Sequence, residues 1–288
     1  EYSISWCLFA HKGIDDFRQK LLEKGSVFVS CNKYVFEKGE KAFIELAAEN
    51  SIQKCVLKKQ DIHIPMKKRG NLWIAEVKME QLGENRFDIF YGEGKQTHVT
   101  CLVIDNVDSL IKKRVDFICD HQQMKESNTR KDAFMVYDNE KNEIYLNNTR
   151  NCNPVDRDEG AERVGMGVLL AKYYQLHPDD HIKTALLKYA KFLRNRLQES
   201  DYKTFSSVDR KGRNRAYNYA WDADFYFQMY KITGDKQYAV DGYMTLRSMF
   251  RQFGHGFYAI GIPVHLGLQT LKAANMNVEC ETLKNDYI

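Results

Sequence analysis

Carboxylates, aromatics and cations gather in three stretches of this chain, each lying just ahead of an apolar-striped helix. The first is Asn153-Pro-Val-Asp-Arg-Asp-Glu-Gly-Ala-Glu-Arg163, the second Arg213-Asn-Arg-Ala-Tyr-Asn-Tyr-Ala-Trp-Asp222, and the third runs from Gly254 to His265. Cleaving a glycosidic bond takes two carboxyl groups, one to protonate the leaving oxygen and one to activate water or attack the sugar. Asp158, Glu159 and Asp222 are the candidates for that work. A carboxyl held deep in a cleft has its pKa raised by desolvation, as an acid at neutral pH requires. Arg157, Arg213, Tyr217, Tyr219, Trp221, His255 and Tyr258 are the candidates for holding a sugar, through guanidinium hydrogen bonds and aromatic stacking. The same stretches offer a second chemistry. Elimination at an acidic sugar needs a Tyr or His to move the C5 proton and a cation to neutralise the carboxylate, and Tyr217, Tyr219, His255, Arg157 and Arg213 supply those types.

Each of these residues also has a structural reading. Asp158 and Glu159 precede a helix, where acidic side chains favour the positive end of the dipole. Asp222 reads as a first-turn acid, for which capping is a sufficient account, and Glu162 with Arg163 reads as a helix-face ion pair. Trp221 fits a core position and His265 a satisfied core histidine. Asp156, Asp158 and Glu159 are close enough in sequence to consider for a metal, but such a loop cluster reads better as capping and solvation. No metal or cofactor is expected.

Positioning these loops falls to paired helices. Trp221, Phe225, Gln228, Met229 and Ile232 are spaced three and four apart, which marks one face of a helix. Gly234 stops that helix and Asp235 caps the next. Helical periodicity begins at Val107 and predicts helices near 107–123, 160–176, 179–199, 217–232, 236–252 and 263–275, with another starting after Asn277. Tight hinges at Gln175–Asp180, with Pro178 suited to the first helical turn, and at Ile232–Asp235 alternate with long connections. That alternation strings antiparallel hairpins into a toroid or solenoid. The second, fourth and sixth helices are then inner, and their N-terminal ends share one rim. The Asn- and Asp-rich interval 124–157 holds Ala133–Tyr137 and Glu143–Leu146, which suit a small hairpin.

Ahead of the helices, residues 26–105 read as a β-sandwich. Short alternating runs at 27–31, 42–46, 54–57, 72–77, 86–91 and 98–104 are bounded by turn signals such as Glu37-Lys-Gly-Glu40. About seven strands in this span suggest an immunoglobulin-like sandwich. Residues 1–25 read as a strand at Trp6–His11 and a short helix ended by Gly25, the tail of a preceding sandwich or a linker. The fold class is therefore α+β, a sandwich followed by helical hairpins of a partial (α/α) toroid over 106–288.

Bulk properties narrow the partners. The 288 residues carry 28% charged and 43% hydrophobic side chains and a formal charge of +4, a balance that gives no case for nucleic acid. No apolar run reaches the length of a membrane span. Seven cysteines without a CxxC favour free thiols over a zinc site or redox pair. The opening Glu1-Tyr-Ser-Ile-Ser lacks an initiator Met and a signal sequence, as expected of a processed or excised piece.

The segment Tyr230-Lys-Ile-Thr-Gly-Asp-Lys-Gln-Tyr238 resembles the helix-turn-helix hinge of the six-hairpin glycosidase superfamily. Leu110–Gln123 followed by Asp132-Ala-Phe-Met-Val-Tyr-Asp138 resembles the opening of the toroid in bacterial members that carry a mutarotase-like sandwich before the helices. The resemblance implies a carbohydrate-active enzyme, most often a glycoside hydrolase, acting on an oligosaccharide or polysaccharide in the periplasm or outside the cell. Unpaired cysteines suit the cytoplasm as well. It carries over no catalytic motif. A polysaccharide lyase, a uronate epimerase and a non-catalytic glycan-binding module are the alternatives. A full toroid of that superfamily takes roughly twice the helices read here, so further domains of a longer chain or a second copy are expected partners.

Overall fold

A computed structural model of the chain describes residues 6–48, 55–59, 62–91, 95–145, 160–209, 214–254 and 261–287. It divides the chain into two compact units, Glu1–Ile111 and Lys112–Ile288.

The first unit opens with helix α1 (Ile14–Glu23) and continues as nine strands: β1 (Phe28–Cys31), β2 (Val35–Glu37), β3 (Lys41–Ala47), β4 (Cys55–Lys59), β5 (Ile62–Pro65), β6 (Lys67–Arg69), β7 (Leu72–Lys78), β8 (Gly83–Tyr91) and β9 (Lys95–Ile104). They form a four-stranded sheet in the order β1-β3-β7-β6 and a five-stranded sheet in the order β2-β9-β8-β4-β5. All pairings are antiparallel except β2 with β9. Alternation decides the faces. Ala42, Ile44 and Leu46 of β3 point inward, as do Trp73 and Ala75 of β7, and they meet Phe87, Ile89, Val99, Cys101 and Val103 of the other sheet in one core. At Glu37–Glu40 the expected turn forms, with Gly39 at φ 92° and the Glu40 carboxylate accepting from the Glu37 amide at 2.6 Å.

Two sequence expectations fail in this unit. The segment Trp6–His11 is not a strand. Trp6 and Leu8 are 87% and 94% exposed, and its apolar residues have no described strand alongside them. Strands β2, β5 and β6 were not foreseen. They are only three or four residues long, too short to show a period, and β6 is Lys67-Lys-Arg69, a basic stretch that reads only as a solvated strand or turn face.

The second unit is helical. Helix α2 (Val107–Phe117) carries the chain across the division and runs on as a π-helical turn, Ile118–Gln122. A two-residue ladder follows, β10 (Tyr137–Asp138) with β11 (Glu143–Ile144), which is the small hairpin expected there, shorter than the sequence suggests. A 3-10 turn, Ala161–Arg163, leads into α3 (Val164–Leu176), then α4 (Asp180–Phe192) with its π-helical extension Leu193–Leu197. Helices α5 (Ala216–Thr233), α6 (Lys236–Phe253), α7 (Val264–Ala273) and α8 (Asn277–Tyr287) complete the described chain.

The helices pair as hairpins α3/α4, α5/α6 and α7/α8, while α3 packs on α5 and α5 on α7, the expected inner row. Gly234 ends α5 in the left-handed region at φ 69°, and the Asp235 carboxylate accepts from the Gln237 amide at 2.9 Å. At the α3/α4 hinge the cap is Asp179, accepting from His181 and Ile182; Pro178 lies one residue before it rather than in the first turn. Phe225, Met229, Trp221 and Ile232 join one hydrophobic cluster with α3 and α4, as the spacing predicts. No described helix is long and apolar enough to cross a membrane.

Candidate glycan site at the opening of α5

Four of the residues singled out in the sequence fall in α5: Tyr217, Tyr219, Trp221 and Asp222. Helical geometry sorts them. Residues four apart share a face. Tyr217 and Trp221 are therefore neighbours, half-buried, with ring centroids 5.9 Å apart and planes tilted by 35°. The Arg215 guanidinium carbon lies 6.0 Å from the centre of the Tyr217 ring. Arg215, at the N-cap, Tyr217 and Trp221 make a partly exposed platform of one cation and two aromatic faces. Trp221 serves two readings at once, since it also packs on the core cluster of α3 and α4.

Tyr219 is a correction. It is fully buried, and its hydroxyl accepts from the Thr204 amide at 3.0 Å and donates to Asn214 Oδ1 at 2.6 Å. Burial pushes its phenol up, which keeps it protonated. It clamps the 198–209 connection to α5 and does not face a sugar.

Asp222 is the second correction. Ala216 starts the helix, so Asp222 sits near the end of the second turn, out of capping reach. It is 0% exposed, and among the described residues neither carboxylate oxygen has a hydrogen-bond partner. Desolvation raises its pKa well above the usual carboxylate range and favours the neutral form. Among the described residues the hydroxyl of Tyr189 on α4 also has no hydrogen-bond partner, and burial pushes its phenol well up. Asn218, Asp222 and Tyr226 stand four apart along one stripe of α5, so a polar seam runs behind the platform.

Gln198 fastens that seam to its surroundings. Its Nε2 donates to Thr204 Oγ1 at 3.1 Å and Thr245 Oγ1 at 3.0 Å, and its Oε1 accepts from the Tyr226 hydroxyl at 2.9 Å. Asn218 Nδ2 donates to Ser206 Oγ at 3.0 Å. On α6, the buried Asp241 accepts from the Tyr202 hydroxyl at 2.8 Å and from Gln237 Nε2 at 2.9 Å. Desolvation raises its pKa against those two bonds.

Asp158, Glu159, Arg157, Arg213, His255 and Tyr258 lie outside the described residues, as do Asp156 and the side chain of Glu162. Among the described residues no group of three or more His, Cys, Asp or Glu could hold a metal ion. His265, read as a core residue, is exposed, and its ring lies 2.9 Å from Gln269 Nε2. It sits on the solvent side of α7, where Val264 and Gly267 take the buried positions. Arg215 and Tyr189 were not singled out in the sequence. Arg215 stands two residues before Tyr217 at a helix start, a signal that was present. Tyr189 lies inside an ordinary amphipathic repeat, where nothing distinguishes it from packing.

A family model described as a family of unknown function, DUF5695, matches residues 2–179. Among solved structures, a polysaccharide lyase is 62% identical with a TM-score of 0.92, over 96% of this chain and 42% of that one. The chain thus spans well under half the length of that lyase. A family 76 glycoside hydrolase from a bovine Bacteroides thetaiotaomicron strain matches at 9% identity and a TM-score of 0.30, over 90% of this chain and 86% of that one. A metagenome-derived family 9 endoglucanase matches at 9% and 0.37, over 92% and 65%. Likeness at those two levels carries no argument. No curated protein matches the chain.

Proposed function

This chain belongs to the DUF5695 family, and from that premise we propose that it takes part in cleaving an acidic polysaccharide by elimination, as a polysaccharide lyase. The observation that carries the reading is the Arg215–Tyr217–Trp221 platform at the opening of α5. The 62% identity to a polysaccharide lyase supports it, and shifts the balance from the hydrolase expectation to the lyase alternative. Of the three carboxylates expected to serve hydrolysis, Asp222 is buried and Asp158 and Glu159 lie outside the described residues.

The chemistry follows from the residue types. In a uronate the C5 proton is acidic because its carbanion is conjugated with the C6 carboxylate, and a cation on that carboxylate makes it more so. Arg215 is placed to pair with the carboxylate through a fork of N–H donors. Acting as the phenolate, Tyr217 takes the C5 proton, the electron pair forms the C4–C5 double bond, and the C4–oxygen bond breaks. The departing oxygen takes that proton from the Tyr217 hydroxyl, so the phenolate is regenerated and the products are a new chain end and an unsaturated uronate. Trp221 offers a flat apolar face to a pyranose ring.

The test is product analysis on uronate-containing and neutral polysaccharides, reading ultraviolet absorbance and reducing ends together. Absorbance on an acidic polymer, lost in Tyr217→Phe by two or more orders of magnitude, is the expected result. Reducing ends without absorbance would restore hydrolysis and refute elimination.

A further inference from the structure

We propose that the four-stranded sheet of the first unit carries a separate glycan site, a groove on its outer face that takes a uronate-bearing stretch of polysaccharide. The proposal rests on the acidic substrate argued above, but on none of the α5 residues.

The groove has a volume of about 400 Å³ and lies where the chain leaves β5 and turns into the edge strand β6. Its position on the outer face follows from register. Trp73 and Ala75 of β7 point into the sandwich core, so Ile74 and Glu76 point away from it. Ile74 is opposite Lys67 on β6, and Glu76 is opposite Phe43 on β3. Arg69, two residues beyond Lys67, shares that face. The result is an apolar floor of Ile64, Pro65 and Ile74 with the Phe43 ring, 41% exposed, on one side and two cations on the other.

Charge decides the occupant. The one acidic side chain in the lining, Glu76, is already paired with Lys41 at 2.6 Å. Lys67 and Arg69 are exposed and carry no ion pair among the described residues, whereas the intervening Lys68 points to the other face and lies 5.8 Å from the Trp73 ring centre. The groove therefore presents two unmatched positive charges beside an aromatic face. Two charges of one sign, two residues apart on a strand, are about 7 Å apart. A neutral glycan would use the ring but leave both cations idle. A chain of uronates uses both, carboxylates on Lys67 and Arg69 and a pyranose face on Phe43. A site of this kind would hold the polymer to the protein between cleavage events.

Affinity gels test this, with polygalacturonate, alginate and hyaluronan as probes, each beside its carboxyl-reduced form. At least one acidic probe is expected to retard the protein, and its reduced form not to. Lys67→Ser with Arg69→Ser is expected to weaken that retardation about tenfold. Phe43→Ala should weaken it with the charges intact. No retardation by any acidic probe, equal retardation by the reduced form, or undiminished retardation of the Lys67/Arg69 double variant would each overturn the proposal. A protein that yields no unsaturated product but still shows the expected pattern would sink the lyase reading alone.

Discussion

Replacing Asp222 with Asn converts a buried acid into a neutral group of the same shape, and the consequence is a change in how stability depends on pH. Asp222 is completely buried with no partner for either oxygen among the described residues, and desolvation alone raises its pKa well above the usual range. In the unfolded chain the same carboxyl ionises near the ordinary value of about 3.9. Between those two pKa values the folded state binds one proton more than the unfolded state. Stability from this group is therefore complete below the unfolded pKa and is lost as pH rises toward the folded one. The slope for one proton is about 1.4 kcal/mol per pH unit, so two units inside the window remove about 2.7 kcal/mol. Asn has nothing to titrate, and the variant lacks this term. Asp241 shifts in the same direction, but it is present in both proteins and cancels in the difference. Denaturant melts of the wild type and Asp222→Asn at pH 5, 6 and 7 measure it, followed by a probe in the helical unit. The variant is expected to gain on the wild type as pH rises, by up to about 1.4 kcal/mol per pH unit in the extrapolated unfolding free energy. Parallel pH profiles would refute the reasoning, because they would mean that Asp222 is ionised in the folded protein.

Other substitutions probe packing and the platform. On α3, a Cβ at Gly167 would meet Phe225 Cε2 at 2.8 Å and Tyr189 Cε1 at 3.0 Å, whereas one at Gly165 meets nothing within 4 Å. Gly167→Ala should cost about 1–2 kcal/mol after its gain in helix propensity, and Gly165→Ala should cost nothing or stabilise, both read by urea melts. Gln198→Leu leaves the buried Tyr226 hydroxyl without its acceptor, while the Thr204 and Thr245 hydroxyls keep their bonds to the Tyr202 and Asp241 carbonyls, and should cost about 1–3 kcal/mol by the same assay. Trp221→Ala should raise KM on the acidic polymer about tenfold with a smaller change in kcat, since a stacking face is used equally by bound substrate and transition state.

The sequence made the scaffold readable where periodicity ran long. Helices at 216–233 and 236–253 and the Gly234–Asp235 hinge between them lie within a residue or two of where spacing and caps place them. Legibility failed where a pattern was too short or a residue had two plausible partners. Three-residue strands cannot display a period of two, and the π-helical turns that end α2 and α4 continue the apolar spacing of the helix before them. In the site, type and position were enough to pick out Tyr217 and Trp221 as neighbours on α5. They were not enough to separate Tyr217 from Tyr219, since two residues along a helix is a turn of about 200° and only the packing of α5 says which side meets the 198–209 connection. Asp222 shows the same limit. Its carboxyl looks identical in sequence whether it caps, catalyses or is sealed in.

The glycines bear on how the platform could be altered by design. Phe225 fills the notch at Gly167, and Phe227 on another side of α5 presses on Gly242 of α6 and Gly267 of α7. Helix α5 is keyed from two directions, like a shaft with a slot cut on either side, and cannot roll without lifting both rings. Its axis is a fixed reference for whatever stands on it. Substitutions at 215 and 217 change the chemistry presented to a sugar while leaving the bearing of that chemistry unchanged, whereas one at 221 also touches the core cluster. The specificity of such a platform is then open to gradual change by single residues at its outer positions.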